Sequence, residues 1–185
     1  EGRVDFHPLS FWDGSRYQAG PQLPDPVHGW VMVNAQGGHT GDAAHAAIRR
    51  MTVPADGTLK ITGALSRPAP NGDGVRARIF SNAKGLLGEW KAPTGSVETP
   101  LEIRNVVPGE VIDLVVDCVE TVESDSFAWT VVVSLTGPEG QNLGSWNSEQ
   151  SLYPPATSPE RLPVAVDTAW RVCYGRAPVD AERHA

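Results

Sequence analysis

From residue 127 to 136 the chain alternates: Phe127, Trp129, Val131, Val133 and Leu135 occupy every second position. A period of two sends successive side chains to opposite faces of a strand, so this run predicts a strand with one buried face. The pattern returns upstream. Residues 58–65 set Leu59, Ile61, Gly63 and Leu65 against Thr58, Lys60 and Thr62, and residues 75–80 set Val75, Ala77 and Ile79 against Arg76, Arg78 and Phe80. Ile112, Leu114 and Val116 share a face of 111–117, and shorter runs cover 30–35, 47–53, 86–91 and 101–107. Turn residues divide these runs, as in Pro54-Ala55-Asp56-Gly57 and Pro108-Gly109-Glu110. Roughly eight or nine short strands with no helical period among them predict a mostly-β fold, a jelly-roll-like antiparallel β-sandwich. The 19 glycines and 16 prolines suit its many tight turns.

Organisation follows from where this pattern stops. Residues 1–8 form a lead, and Pro8, Pro21, Pro24 and Pro26 predict an irregular stretch over 1–27. The sandwich is expected over 9–136. Residues 137–158, rich in Gly, Pro, Ser and Asn, read as a linker or a strap over it. Over 159–185, Val166, Ala169, Trp170 and Cys173 recur at helical spacing, Tyr174-Gly175 provides a stop, and a second helix begins near Pro178. This predicts a helical tail, either the start of a following domain or a segment packed back on the sandwich. The chain begins at Glu1 without a methionine or an export signal, and reads as a piece of a larger or processed protein.

At 185 residues the chain can bury a core of its own. A formal charge of -7 disfavours nucleic acid and anionic membrane surfaces as partners. No apolar run approaches the ~20 residues of a membrane span. Cys118 and Cys173 read as buried thiols or as one inter-element disulfide, and do not fix a compartment.

Four groups of residues carry candidate chemistry. Asp73, Asp117 and Asp125 each close an alternating run, and loops at one end of a sandwich could gather them around a calcium ion or a sugar. The competing reading is that each merely caps a turn. Indoles and phenols that stack on sugar rings form the second group: Trp12 and Trp146 in polar surroundings, Tyr17, and Trp30, whereas Trp129 belongs to the core. Third, Arg76 and Arg78 share the outer face of one strand, and Arg49 or Arg50 with Arg104 would extend a stripe fitted to an acidic polysaccharide. The same arginines could instead pair with Glu102 or Asp113 on a solvated face. Last, His39, Asp42 and His45 lie within one glycine-rich segment, a spacing that suits zinc, a general base or a structural loop. No nucleophile elbow or phosphate-binding loop is present.

Several phrases in shared order carry a resemblance: Gly37-Gly38-His39, Ile48-Arg49-Arg50 before Pro54-Ala55-Asp56-Gly57, Gly72-Asp73-Gly74-Val75, Val115-Val116-Asp117, Asp125-Ser126-Phe127-Ala128-Trp129, and Tyr174-Gly175-Arg176-Ala177-Pro178 with Glu182. Together, over roughly residues 9–185, the chain resembles the β-sandwich domain of planctomycete-type multidomain cytochrome c proteins. The resemblance implies a carbohydrate-binding-like domain of an exported, periplasmic or extracellular system. This chain has no Cys-x-x-Cys-His and cannot attach c-type haem itself, so any haem belongs to another part of the parent protein. The expectation is a non-catalytic polysaccharide-binding module using Trp12, Tyr17, Trp30, His39, Arg76, Arg78 and Trp146, with Asp73, Asp117 and Asp125 as cation ligands. Two alternatives are a docking domain that orients haem and helical domains, and a polysaccharide hydrolase or lyase using the aspartates and His39.

Overall fold

The computed structural model describes residues 6–42, 44–150, 152 and 171–175, the last five by backbone alone. Every regular element among them is a strand. In chain order these begin with β1 (His7–Pro8), β2 (Phe11–Trp12), β3 (Arg16–Gln18), β4 (Met32–Asn34) and β5 (Gly37–His39). There follow β6 (Ala46–Thr52), β7 (Gly57–Arg67), β8 (Val75–Ser81), β9 (Gly85–Ala92) and β10 (Gly95–Glu98). The last five are β11 (Leu101–Val106), β12 (Val111–Cys118), β13 (Ser126–Thr136), β14 (Asn142–Asn147) and β15 (Arg171–Gly175).

Two antiparallel sheets result. The first runs β1-β15-β6-β12-β8-β9; the second runs β10-β7-β13-β5-β4-β3-β2, with β11 also on β7 and β14 also on β13. The alternating faces predicted for β7, β8, β12 and β13 meet in one shared hydrophobic core, in which Leu59, Ile61, Ile79, Ile112, Val131, Val133 and Leu135 are wholly buried. Each such side chain stabilises the fold by about 1.5–3 kcal/mol relative to exposure. Trp129 sits in that core and donates Nε1–H to Thr99 Oγ1 at 2.9 Å, so its one polar atom is satisfied. Arg49 of β6 also points inward. Its guanidinium straps the sheets together by donating to the carbonyls of Trp129 and Asn34 at 2.7 Å and of Ala35 and Gly37 at 3.3 Å. Burial pulls its pKa down to about 10, so it remains charged at neutral pH.

Several local expectations change. Residues 171–175, read as the end of a helix, are the strand β15, registered Arg171↔Arg50 to Gly175↔Ala46 on β6 and paired with β1 on its other side. The open edge of β6 supplies a ladder for the backbone of the segment on one side, which outweighs a weak helical spacing. The rest of the 159–185 reading lies outside the described residues. Within 137–158, residues 142–147 fold back as β14 on β13. Within 1–27, expected to be irregular, β2 and β3 pair as a hairpin in which Asp13 accepts the backbone N–H groups of Ser15 and Arg16.

The outer face of the first sheet is covered as well. Ala46, Ile48, Phe80 and Val115 form a second buried cluster, against which Phe6 packs. That covering buries Arg78 and leaves Arg50 and Arg76 only partly exposed, whereas Arg104, on β11 of the other sheet, stays exposed and pairs with Glu102 at 2.6 Å.

Candidate functional site

A cleft of about 630 Å³ opens where the β3–β4–β5 meander faces the loop between β12 and β13. One wall comes from Arg16, Trp30, Met32 and His39, and the other from Val122, Glu123, Ser124 and Ser126, and Leu23 also lines the cleft. The meander brings the first wall together because Met32 registers with His39 and with Gln18. Gly37 and Gly38 permit this. A Cβ on either would press into the backbone of β13 or of Met32. The Gly-Gly-His phrase is thus a close backbone crossing that delivers His39 to the cleft.

Trp30 is 46% exposed, an unusual state for so large an apolar ring, and its centroid lies 6.0 Å from that of His39. His39 Nδ1 stands 2.5 Å from the Thr40 carbonyl and must donate its proton there, which assigns the lone pair to Nε2. Burial lowers the His39 pKa, so the ring is neutral at pH 7 and Nε2 accepts hydrogen bonds. Arg16 Nε is 2.7 Å from Asp13 Oδ2 and 3.2 Å from Gln18 Oε1. Its charge is therefore largely balanced, whereas Glu123 adds an exposed carboxylate on the opposite wall.

The second wall is held from behind by Asp73, and a second sequence-predicted aspartate, Asp125, lies buried beside it. Asp73 accepts the backbone N–H of Glu120 at 2.5 Å, and the N–H and hydroxyl of Thr121 at 3.2 and 3.0 Å. Burial tends to raise the Asp73 pKa, but these bonds prevail and lower it, so it acts as an ionised clamp. Gly72, at φ +85°, lies directly under the Glu123 carbonyl. Asp125, wholly buried, faces Arg67, also wholly buried, at 3.7 Å. Neither Asp125 oxygen has a hydrogen-bond partner among the described residues, and burial with the nearby Asp73 charge pushes its pKa up to about 6 despite Arg67. Between the residues that Asp73 clamps and the buried Asp125, Ser124 adopts φ 63°, a left-handed conformation that a serine holds only where its surroundings impose it.

No family model, curated protein or solved structure matches this chain. The site must therefore be read from its own groups.

Of the residues singled out in the sequence, Trp30 and His39 line the cleft, Asp73 ties down its loop, and Asp125 lies buried in that loop facing Arg67. Asp117, expected at a loop, is buried inside β12, where it pairs with Arg76 Nε at 3.0 Å and with Arg78 Nη2. Arg76 and Arg78 thus face a carboxylate on the covered sheet face, and Arg50 forms a two-point pair with Asp113 at 2.6 and 2.8 Å. Among the described residues no group of three or more histidine, cysteine, aspartate or glutamate side chains is arranged to hold a metal ion. Trp12 and Tyr17 pack on each other across the β2–β3 hairpin, 4.9 Å between centroids. Trp146 is half-buried over Gly144 and packs on the core. Cys118 is a buried free thiol whose pKa burial pushes up to about 11. Sequence reasoning missed Arg16, Glu123, Ser124 and Ser126. Only the glutamate in a polar loop beside Asp125 was there to be noticed.

Proposed function

We propose that this jelly-roll-like domain is a non-catalytic carbohydrate-binding module of a larger exported protein, and that the Trp30 cleft is its binding site. The observation that carries this is a half-exposed indole on one wall of a cleft whose rim bears hydrogen-bonding groups of both kinds. A sugar offers an apolar C–H face to stack on Trp30, while its hydroxyls meet His39 Nε2, Arg16, Glu123, Ser124 and Ser126. One carboxylate lines the cleft among the described residues, whereas glycoside hydrolysis commonly uses two, so the arrangement favours binding over turnover. Charge also bears on the glycan. With Arg16 balanced by Asp13, His39 neutral and the Glu123 carboxylate on the rim, the cleft favours neutral sugars over uronic or sulfated ones.

Affinity electrophoresis through neutral, uronic and sulfated polysaccharides tests this. Retardation by a neutral glycan is expected, weakened about 10-fold or more in Trp30→Ala, a loss of about 1–2 kcal/mol of stacking. Trp30 is too exposed for that substitution to unfold the domain. Unaltered mobility in every gel would refute the proposal, and retardation indifferent to Trp30→Ala would move the site elsewhere.

A further inference from the structure

Six asparagines occur in the chain, and Asn71 alone precedes a glycine. Four of the others have their side-chain carbonyl committed. Asn34 Oδ1 accepts the backbone N–H groups of Gln36 and Gly37, Asn82 Oδ1 that of Val111, Asn142 Oδ1 that of Gly144 and Asn147 Oδ1 that of Glu149. Asn105 lies within β11 and precedes the branched Val106. Asn71 differs from all of these. It stands exposed in the bend between β7 and β8, and among the described residues neither its side chain nor the Gly72 N–H has a hydrogen-bond partner.

That pairing of residues can react with itself. No side chain on residue 72 obstructs the approach, so the Gly72 backbone nitrogen, once it yields its proton to water or hydroxide, can attack Asn71 Cγ. The new N–Cγ bond closes a succinimide ring as the Cγ–Nδ2 bond breaks, and the side-chain nitrogen departs as ammonia. Water then reopens the ring. Its addition at Cγ gives aspartate, whereas addition at the backbone carbonyl gives isoaspartate, in which the chain runs on through Cγ and is longer by a carbon atom. Water and ammonia complete the balance, and both products carry an added negative charge.

A longer backbone has no room here. Any substituent on Gly72 meets the Glu123 carbonyl and Arg67 Nη2. The next residue, Asp73, clamps Glu120 and Thr121 by accepting their backbone N–H groups at 2.5 and 3.2 Å and the Thr121 hydroxyl at 3.0 Å. An extra carbon at 71–72 must therefore displace Gly72 or Asp73, and either shift releases the loop. The new carboxylate repels the ionised Asp73 and acts in the same direction.

We propose that Asn71 is a site of spontaneous deamidation, forming isoaspartate through ring closure on Gly72, and that this modification frees the 120–125 loop and opens the second wall of the Trp30 cleft. The modification itself rests on the Asn71–Gly72 surroundings; its effect on affinity rests on the cleft being the sugar site.

The full chain, aged warm at mildly alkaline pH, is to be peptide-mapped by mass spectrometry in ordinary and in heavy-oxygen water. Asn71 should gain a single mass unit in the former and take up one heavy oxygen in the latter, with every other asparagine at least about 10-fold slower. No gain at Asn71, or an equal rate at Asn82, would overturn the site. Hydrogen exchange reads the loop. The Glu120 and Thr121 amides should exchange at least about 10-fold faster in the aged chain than in fresh chain or in equally aged Asn71→Gln, whose longer side chain closes the ring far more slowly. An isoaspartate-repairing methyltransferase should return exchange to the level of Asn71→Asp, which carries the charge without the added carbon. Unchanged exchange on ageing, or exchange as fast in Asn71→Asp, would refute the link to the loop. Retardation by neutral glycan should weaken about 10-fold on ageing, and retardation that ageing leaves unaltered would refute the effect on the cleft. Loosened exchange in a chain that no glycan retards, fresh or aged, would uphold the modification and refute the sugar reading instead.

Discussion

Replacing Asp125 by asparagine should stabilise this protein at neutral pH, although it removes one half of a buried ion pair. Asp125 and Arg67 are wholly buried, yet their nearest approach is 3.7 Å, too long for a hydrogen bond. Arg67 instead donates through Nη1 to the carbonyls of Pro93 and Ala69, at 2.7 and 2.9 Å. The carboxylate thus bears the cost of desolvation, and of repulsion from Asp73, without the compensating bonds that a buried charge needs. Its pKa rises from 3.8 to about 6, a difference of about 2 pH units. At about 1.4 kcal/mol per unit this amounts to about 3 kcal/mol. The folded state holds the proton more tightly than the unfolded chain does. Asp125 therefore favours folding fully below pH ~4, and this contribution is lost as pH rises through about 6.

Asparagine mimics the protonated form at every pH. Urea unfolding followed by tryptophan fluorescence should find Asp125→Asn more stable than the unaltered chain by about 1–3 kcal/mol at pH 7.5. The two should converge towards pH 4. Other carboxylates and histidines titrate in both proteins and cancel in the difference. Were the variant instead less stable at pH 7.5 by the 3–5 kcal/mol typical of a broken buried pair, the carboxylate would be a well-matched partner of Arg67 and the reasoning would fail.

Three further substitutions probe the cleft loop and the packing of the two sheets. Gly72→Ala must place a Cβ at φ +85° against the Glu123 carbonyl and should cost about 2 kcal/mol or more by thermal denaturation. Gly14→Ala, at φ +108° in open space, carries the strain without the collision, so equal losses in the two would show that the contact with the cleft loop is immaterial. Arg49→Met leaves four carbonyls between the sheets without their donor and should lower stability by at least about 2 kcal/mol in urea, since each orphaned acceptor costs about 1–3 kcal/mol. Unchanged stability would mean that the cost of burying the charge, visible in its lowered pKa, offsets everything those bonds contribute.

The central strands were legible because their inner faces alternate and the structure buries those same residues, Leu59, Ile79, Leu114 and Val133 among them. Outer faces were not. In β12, Asp113, Val115 and Asp117 look like the wet side of an amphipathic strand, yet all three are buried. Alternation reports which residues differ from their neighbours, and is silent on whether a second layer covers the polar set. Arg76 and Arg78 meet the same limit, since a guanidinium spaced for solvent is equally spaced for a carboxylate one strand away. Asp117 registers directly with Arg76.

The histidines show a further limit of reading along the chain. Within 39–45, three possible ligands suggest one local site, but the backbone sends them apart: His39 turns towards Trp30, while His45 turns towards His28, far earlier in the chain. Two Asp-x-x-His turns, Asp25 to His28 and Asp42 to His45, are visible in the sequence once sought, because a carboxylate that caps its own turn at i+3 is a local device. That they face each other is not local. It results from the short β4–β5 hairpin, whose Val33↔Gly38 register folds the chain back so that the turn before Trp30 meets the loop after His39. The glycines that permit this crossing also deliver His39 to the cleft. A side chain at Gly38 would therefore be expected to disturb the Trp30 cleft and the His28–His45 contact together, although neither contains that residue.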